Sequence, residues 1–235
     1  MPTPQQWCQL LLRAEMEILG KMPWSSNATY LVELTDGALS SRGIYKPGRG
    51  ERPLWDFPGG LFRREVAAYE LGRAVGLAVV PETVLREDAP LGVGSVQRFI
   101  DARFEEHYFT MLESGNYQEQ LMMIAGFDLL ANNADRKGGH LLIDAVDRIW
   151  AIDNGLCFHI EDKLRTVMWD FAGEKIPELV LDAARLLAGE VPQVLTALLE
   201  EDEILALVER AEFYLSSGIF PHPPDDHRAY PWPLV

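Results

Sequence analysis

Two carboxylates, Asp135 and Asp153, stand at the two ends of a short segment that predicts a small β-hairpin. Asp135 lies in a polar run, residues 132–140, between an apolar helical stretch and the first strand, and Asp153 directly follows the second strand. Because the ends of a hairpin lie close together, we expect the carboxylates to share one site. One carboxylate that orients a nucleophile and one that holds a metal ion are what phosphoryl transfer from ATP requires. A charged surface turn is the alternative for residues 135–139.

The first hundred residues predict the elements that must position one side of such a site. Trp7, Leu11, Ala14 and Ile18 recur at helical spacing, which predicts one amphipathic helix that ends near Gly20. A β-hairpin, a Gly-, Pro- and Arg-rich loop and a second helix follow. The predicted ranges are strands at 28–34 and up to Lys46, the loop 48–60, a helix at 62–75 closed by Gly76, and strands at 79–85 and 93–100.

The second part of the chain predicts a mainly helical region around the candidate hairpin. A polar stretch, residues 101–118, is the best linker candidate, and the apolar run 119–131 predicts a buried helix. Short strands at 141–143 and 149–152, helices within 177–215 and an extended Pro-rich stretch at 221–233 complete the pattern. The whole predicts an α+β fold with a β-rich N-lobe at residues 1–100 and a mainly helical C-lobe at 101–235.

Composition and charge disfavour some classes of binding partner. Lys and Arg number 21 and Asp and Glu 36, so the formal net charge is −15, which disfavours nucleic acids and anionic membrane surfaces. Cys8 and Cys157 have no metal-ligand spacing and are interpreted as packing residues of a reducing compartment. No apolar run approaches the roughly 20 residues that span a bilayer. We therefore expect a soluble, cytoplasmic protein.

The ordered motifs between residues 25 and 169 resemble the catalytic core of the phosphatidylinositol 3- and 4-kinase superfamily. The type II phosphatidylinositol 4-kinases and an actinobacterial-type branch of that superfamily are the most similar groups, and HipA-type protein kinases are a more distant likeness. The resemblance implies a two-lobed protein-kinase-like fold. It also implies binding of ATP with Mg²⁺ or Mn²⁺ and transfer of the γ-phosphate to an alcohol acceptor.

In the N-lobe, the resemblance assigns the nucleotide contacts. Ser25, Ser26 and Asn27 resemble the small-residue loop whose backbone N–H groups approach the phosphates, although a plain β-turn fits these three residues as well. Lys46 matches the strand lysine that binds the α- and β-phosphates, with an ordinary exposed strand lysine as the alternative. Phe99, in the connection 97–100, stands where adenine normally bonds to backbone groups.

Two glutamates on the predicted helix 62–75 compete for the role of carboxylate partner to that lysine. Glu65 shares a helix face with small and aromatic residues at i+3, i+4 and i+7, whereas Glu70 has arginines beside it. Helical geometry therefore predicts that Glu65 points inward. A solvated Glu65 near the helix N-terminus, favoured by the helix dipole, is the alternative.

In the C-lobe, the resemblance assigns the catalytic groups. Asp135 matches the aspartate that orients the acceptor hydroxyl or accepts its proton, and Lys137 the lysine that faces the γ-phosphate. Asp153 matches the aspartate that holds Mg²⁺. His140 stands where the pattern has an asparagine as second metal ligand. His140 either leaves one metal site incomplete, shifts the metal preference toward Mn²⁺, or packs beside the strand in a hydrogen bond.

The acceptor is not identified by the sequence. The segment 156–169, after Asp153, carries two positive and two negative side chains, which suits a protein or small soluble alcohol better than an anionic phosphoinositide. The alternatives are a lipid kinase, a nucleotidyltransferase, and a pseudokinase that binds nucleotide or nothing and acts through a partner. His140 favours the pseudokinase, whereas retention of both Asp135 and Asp153 favours the enzyme.

Overall fold

A five-stranded antiparallel sheet forms the first part of the fold. The computed structural model describes residues 2–23, 27–37, 39–225 and 227–235. The strands are β1 Glu15–Lys21, β2 Tyr30–Asp36, β3 Leu39–Pro47, β4 Thr83–Arg86 and β5 Gly94–Arg98. Their order in the sheet is β1-β2-β3-β5-β4, and each neighbouring pair runs antiparallel.

The first helix ends earlier than the sequence predicts. Helix α1 spans Pro4–Arg13, starts with a capping box between Thr3 and Gln6, and is followed by β1 rather than by further helical turns. The prediction of one helix to Gly20 was therefore wrong. Met16 and Ile18 alternate with glutamates and pack against the sheet core, so the period-two pattern outweighs the helical spacing once β2 supplies backbone partners.

The two faces of the sheet contact different parts of the molecule. One face packs against α1 in an apolar cluster that includes Leu11, Val32 and Tyr45. Alternate residues of β2 and β3 lie on the opposite face, where Leu31 and Ile44 are cross-strand partners. Because Lys46 lies two residues beyond Ile44, it shares this second face, which is the one that can meet the rest of the site.

Helices dominate the remainder of the described chain. The predicted linker 101–118 contains a helix whose Tyr108 and Met111 are fully buried, so it is part of the packed structure rather than a simple connection. A two-stranded hairpin follows the buried helix, as predicted. The elements are α2 Leu61–Ala74, α3 Tyr108–Ser114, α4 Gln118–Ala131, β6 Leu141–Ile143, β7 Ile149–Ala151, α5 Glu178–Gly189, α6 Gln193–Thr196 and α7 Glu201–Ser217.

The larger apolar core joins α2 to the helical region. Leu71 of α2, Phe127 of α4 and Leu207 of α7 belong to one buried cluster, which also takes in Cys157. A lobe boundary at residue 100 stays a prediction, since α2 precedes it and shares the core that follows it. None of the helices in the described ranges combines the length and apolar character that crossing a bilayer requires.

Candidate functional site

Lys46 of β3 lies at the centre of the candidate site. Its Nζ forms an ion pair with Glu65 of α2 and lies 2.8 Å from Asp153 Oδ1, just after β7. Burial alone would lower the pKa of Lys46, but the two carboxylates outweigh it and raise that pKa above its ordinary value. The charge of Lys46 holds the pKa of Asp153 well below its usual range. Lys46 and Asp153 are therefore both charged across the neutral pH range.

Glu65, not Glu70, is the inward glutamate. Its carboxylate is buried and also accepts a hydrogen bond of 3.1 Å from the backbone N–H of Asn154. Glu70 instead pairs with Arg73 on the helix surface. Glu65 thus ties α2 both to the strand lysine and to the turn that carries Asp153.

Contacts at the start of α2 and on its flank fix the position of that helix. The carboxylate of Glu51 accepts hydrogen bonds from the N–H groups of Gly60 (2.9 Å) and Phe62 (2.8 Å) at the helix N-terminus. Arg64 forms a buried ion pair with Glu203 of α7. Since Arg64 neighbours Glu65 in the sequence, this pair holds the inward glutamate in place from the side of the helical region.

Asp135 lies beside Lys137 in the polar loop 132–140. Asp135 Oδ2 is 3.1 Å from Lys137 Nζ, and the N–H of Asp135 donates to Asn133 Oδ1 at 2.9 Å. Burial raises the pKa of the Asp135 carboxyl to about 6, against the opposing charge of Lys137. A carboxylate with this pKa is suited to accept a proton near neutral pH.

Arg136, which sequence reasoning left among charged turn residues, is fully buried and connects both halves of the site. Its guanidinium makes a bidentate contact with Asp128 of α4, at 2.8 and 2.9 Å. It also donates to Ile152 O and to Asn154 Oδ1, each at 2.6 Å. Arg136 therefore joins the loop of Asp135 to the turn of Asp153. The signal for it was Asp128, a carboxylate in an otherwise apolar helix that needs a buried partner.

His140 contacts Asp153 as a hydrogen-bond partner. Its Nε2 is 3.3 Å from Asp153 Oδ2, and the N–H of Lys137 approaches its Nδ1 at 3.4 Å. Burial lowers the pKa of His140 to about 4, so the ring is neutral near pH 7. A neutral ring that accepts at Nδ1 carries its proton on Nε2 and donates it to Asp153. This arrangement favours the hydrogen-bonded alternative for His140 over direct metal ligation.

The donor set fits a divalent cation that the nucleotide helps to bind. Asp153 has its side chain 51% exposed, and its backbone adopts a left-handed conformation with φ 59°. Asn154 Oδ1 is occupied by Arg136. In the described ranges, no group of three or more His, Cys, Asp or Glu side chains is arranged to hold a metal. Mg²⁺ is commonly held by one or two carboxylates together with substrate phosphates, and Asp153 can supply such a ligand.

A cavity of about 270 Å³ adjoins these groups. Its lining includes Asn27, Lys46, Arg52, Glu65, Asp135 and Asp153. Asn27 Oδ1 accepts a hydrogen bond of 2.9 Å from the N–H of Arg52, which brings the two loops together at the cavity. Ser25 and Ser26, the other predicted phosphate-loop residues, lie outside the described residues.

Three described site residues do not line this cavity. Lys137 and His140 contact its lining residues Asp135 and Asp153, whereas Phe99 does not. Its N–H donates to Arg42 O at 3.2 Å, so that group is not available to a base. The Phe99 ring centroid lies 6.4 Å from that of Phe104 and 6.0 Å from the guanidinium carbon of Arg42. Phe99 therefore supports the connection between the lobes through its own neighbours.

A curated relative decides the family. The chain is 37% identical over 262 aligned positions to Protein Rv2133c of Mycobacterium tuberculosis, and the match covers 95% of this chain and 94% of the relative. This chain belongs to the Rv2133c family. No protein-family model matches it.

Several solved structures are similar to this Rv2133c-family chain, and two of those described below are named as kinases. Hydra Fam20 with sugar matches with a TM-score of 0.59 at 14% identity, covering 91% of this chain and 87% of that one. The Golgi casein kinase with Mn/ADP bound gives 0.57 at 13%, covering 95% and 80%. The Helicobacter pylori proinflammatory kinase CtkA gives 0.52 at 14%, covering 89% and 94%. The predicted α+β kinase-like fold is thereby confirmed for the Rv2133c-family chain.

Proposed function

We propose that this protein is an ATP-dependent phosphotransferase, an atypical kinase that uses Mg²⁺ or Mn²⁺. The observation that carries the proposal is the joint contact of Lys46 with Glu65 and Asp153, because a strand lysine held between a helix glutamate and a metal-binding aspartate is the nucleotide-binding arrangement of kinases. The kinase-like fold agrees with it. The order of the sequence motifs further supports membership of the phosphatidylinositol 3- and 4-kinase superfamily.

Each charged group has a role in this proposal. Lys46 binds the α- and β-phosphates, and Asp153 holds the metal ion, which neutralises charge on the phosphates when bound. Asp135 orients the acceptor hydroxyl and takes its proton, and Lys137 stabilises the transferring group. The base of the nucleotide lies along the apolar cross-strand pair Leu31 and Ile44, next to Lys46 on the same face of the sheet.

The acceptor in this proposal is a protein or a small soluble alcohol rather than a membrane lipid. The net charge of −15 disfavours an anionic lipid surface. In addition, the two cationic side chains of the segment 156–169 already contact other residues of the chain. Arg165 pairs with Asp56 at 3.2 Å, and Lys163 Nζ donates to Asp56 O at 2.6 Å. Cations that are already paired attract an anionic headgroup only weakly, so we expect this surface to bind a phosphoinositide poorly.

Binding of ATP by the Asp153→Asn variant tests the proposal. Loss of a metal-binding carboxylate is expected to weaken Mg²⁺-dependent ATP affinity at least about tenfold, measured by titration calorimetry with and without Mg²⁺. Asp36→Asn is the matched control, because Asp36 is exposed at the far end of the β2–β3 hairpin. Equal ATP affinity in the Asp153 variant and the parent would contradict the assignment.

The pKa of Asp135 predicts a pH dependence. Because the carboxyl must be ionised to accept a proton and its pKa is raised to about 6, the transfer rate should fall as pH drops through 6. Well below that value, we expect about a tenfold loss for each pH unit, measured in single-turnover assays with labelled ATP. His140 stays neutral in this window. A flat profile between pH 7 and pH 5 would exclude Asp135 as the base.

Two substitutions at residue 140 test how much the contact of its side chain with Asp153 contributes to nucleotide binding. His140→Asn keeps a donor toward Asp153, so we expect ATP affinity within about threefold of the parent. His140→Leu removes the donor to a charged group and should weaken Mg²⁺-dependent ATP binding about tenfold. The same titrations measure both variants. Equal affinity of His140→Leu and the parent would show that the contact with Asp153 contributes nothing to nucleotide binding.

A further inference from the structure

The last described stretch, residues 227–235, lies against the loop of the catalytic groups and against the segment that follows Asp153. The N–H of Gly138 donates to Leu234 O at 2.7 Å. Ala229 O accepts two hydrogen bonds, from Thr166 N–H at 3.1 Å and from Trp169 Nε1–H at 2.9 Å. We call this stretch the 227–235 segment. Its main chain contacts both the loop that carries Asp135 and the residues 166–169 that follow Asp153 in the chain.

Glycines permit the close approach of the segment to the loop. A β-carbon at residue 138 would lie 3.3 Å from Leu234 O, from Phe109 Cε2 and from Val235 Cγ2. At residue 139 the nearest atoms would belong to Val235, at 3.7 and 3.8 Å. The loop surface three to four residues after Asp135 is therefore bare backbone, shaped to receive an extended chain.

Backbone carbonyl groups of the 227–235 segment accept hydrogen bonds at Ala229 and Leu234. Ala229 and Pro231 are buried, but Tyr230, Trp232 and Val235 expose 49%, 86% and 55% of their surface. Main-chain hydrogen bonds recognise an extended peptide without requiring one particular sequence. Since little apolar side-chain surface is buried, another extended chain can replace this one at the same backbone groups.

The chemistry of the segment resembles that of a competitor rather than of a substrate. It has no carboxylate side chain, carries Arg228, and its only side-chain hydroxyl belongs to Tyr230. The part that contacts Gly138, residues 234–235, therefore offers nothing to phosphorylate. An extended, apolar and basic chain also suits a protein of net charge −15.

We propose that the surface covered by the 227–235 segment is the site where the proposed kinase binds an extended polypeptide acceptor. We call this surface the acceptor track, and the 227–235 segment competes with the acceptor for it. The inference rests on the proposed function and narrows its acceptor to polypeptides with apolar and basic residues beside the hydroxyl. In the transfer, the acceptor oxygen bonds to the γ-phosphorus while the bond to the leaving ADP oxygen breaks. The hydroxyl proton passes to Asp135.

Loosening the segment in the full chain tests this inference. The variant Pro231→Gly with Val235→Gly removes a buried ring and a side chain beside Gly138, and it increases the freedom of the unseated segment. Pro224→Gly, at an exposed position before the segment, is the control. Hydrogen exchange at Gly138 N–H measures seating, and label transfer from ATP to a degenerate Ser/Thr/Tyr peptide library measures access of acceptors.

The expected result has four parts. The double variant exchanges Gly138 N–H faster, transfers label to the library at least about threefold faster than parent and control, and keeps parental ATP affinity. A synthetic peptide with the sequence of residues 227–235 inhibits the loosened variant more strongly than the parent. Faster exchange with unchanged or slower transfer would overturn the inference, as would absence of peptide inhibition.

The two proposals fail in different ways. If parent and variant bind ATP with Mg²⁺ and form ADP, but loosening leaves peptide transfer unchanged, only the acceptor track is wrong. If Gly138 N–H exchanges equally in the parent and the double variant, the segment is not seated by these contacts, which also overturns the track. If neither chain binds ATP, the proposed function fails and the acceptor track with it.

Discussion

Replacing Asp135 with Asn is expected to lower the rate of phosphoryl transfer by about 10²–10⁴-fold while ATP binding is retained. The amide keeps the size of the carboxylate but cannot take the acceptor proton. Lys46 pairs with Glu65 and Asp153, whereas Asp135 pairs with Lys137. Nucleotide binding therefore depends less on the charge of Asp135 than on the contacts of Lys46. Single-turnover transfer from labelled ATP and ATP titration measure the two quantities.

The control for this variant is the exposed Asp36→Asn, which should retain parental transfer and parental binding. Transfer by Asp135→Asn within about threefold of the parent rate would remove Asp135 from the catalytic step. A loss of ATP binding equal to the loss of transfer would instead make Asp135 a nucleotide-binding residue, as proposed here for Asp153.

Replacing Arg136 with Met is expected to lower the free energy of unfolding by about 3–5 kcal/mol. The change leaves the buried carboxyl of Asp128 without its bidentate partner, and it removes the hydrogen-bond donor to Asn154 Oδ1 and Ile152 O. Chemical denaturation followed by circular dichroism gives the value. In the double variant Arg136→Met with Asp128→Leu, no unpaired buried carboxylate remains. This variant should therefore recover part of the lost free energy of unfolding.

The surface pair Arg103 and Asp147 is the matched control for the buried pair. Both side chains are well exposed and their contact is 2.6 Å, so Arg103→Met should lower the free energy of unfolding far less than Arg136→Met does. An Arg136→Met variant no less stable than Arg103→Met would show that the buried contacts do not hold the loop and the turn together.

The sequence predicts the strands and helices closest to the candidate site better than the start of the chain. The hairpin that separates Asp135 from Asp153 and the helix that carries Glu65 follow from local patterns, because turn residues and apolar periodicity define them. The stretch 14–21 contains both periods, and its choice of a strand depends on pairing with β2. Local patterns cannot settle such a choice, since the partner lies elsewhere in the chain.

Long-range partners were the part of the site that the sequence could not assign. Arg136 occurs in a polar turn, and only the folded chain shows that it reaches Asp128 and Asn154. In the same way, no local pattern places the 227–235 segment against Gly138. His140 is an intermediate case: its departure from the expected asparagine is visible in the sequence, but its hydrogen bond to Asp153 comes from geometry.

The most direct test of the central claim is thermal unfolding of the protein with ATP, with and without Mg²⁺. A ligand at a hundred times its Kd stabilises a protein by about 2.7 kcal/mol, which corresponds to a Tm increase of roughly 5–10 °C for a chain of this size. We predict that increase with ATP and Mg²⁺, and a smaller one with ATP alone. An unchanged Tm at saturating ATP with either Mg²⁺ or Mn²⁺ would contradict a nucleotide site at Lys46, Glu65 and Asp153.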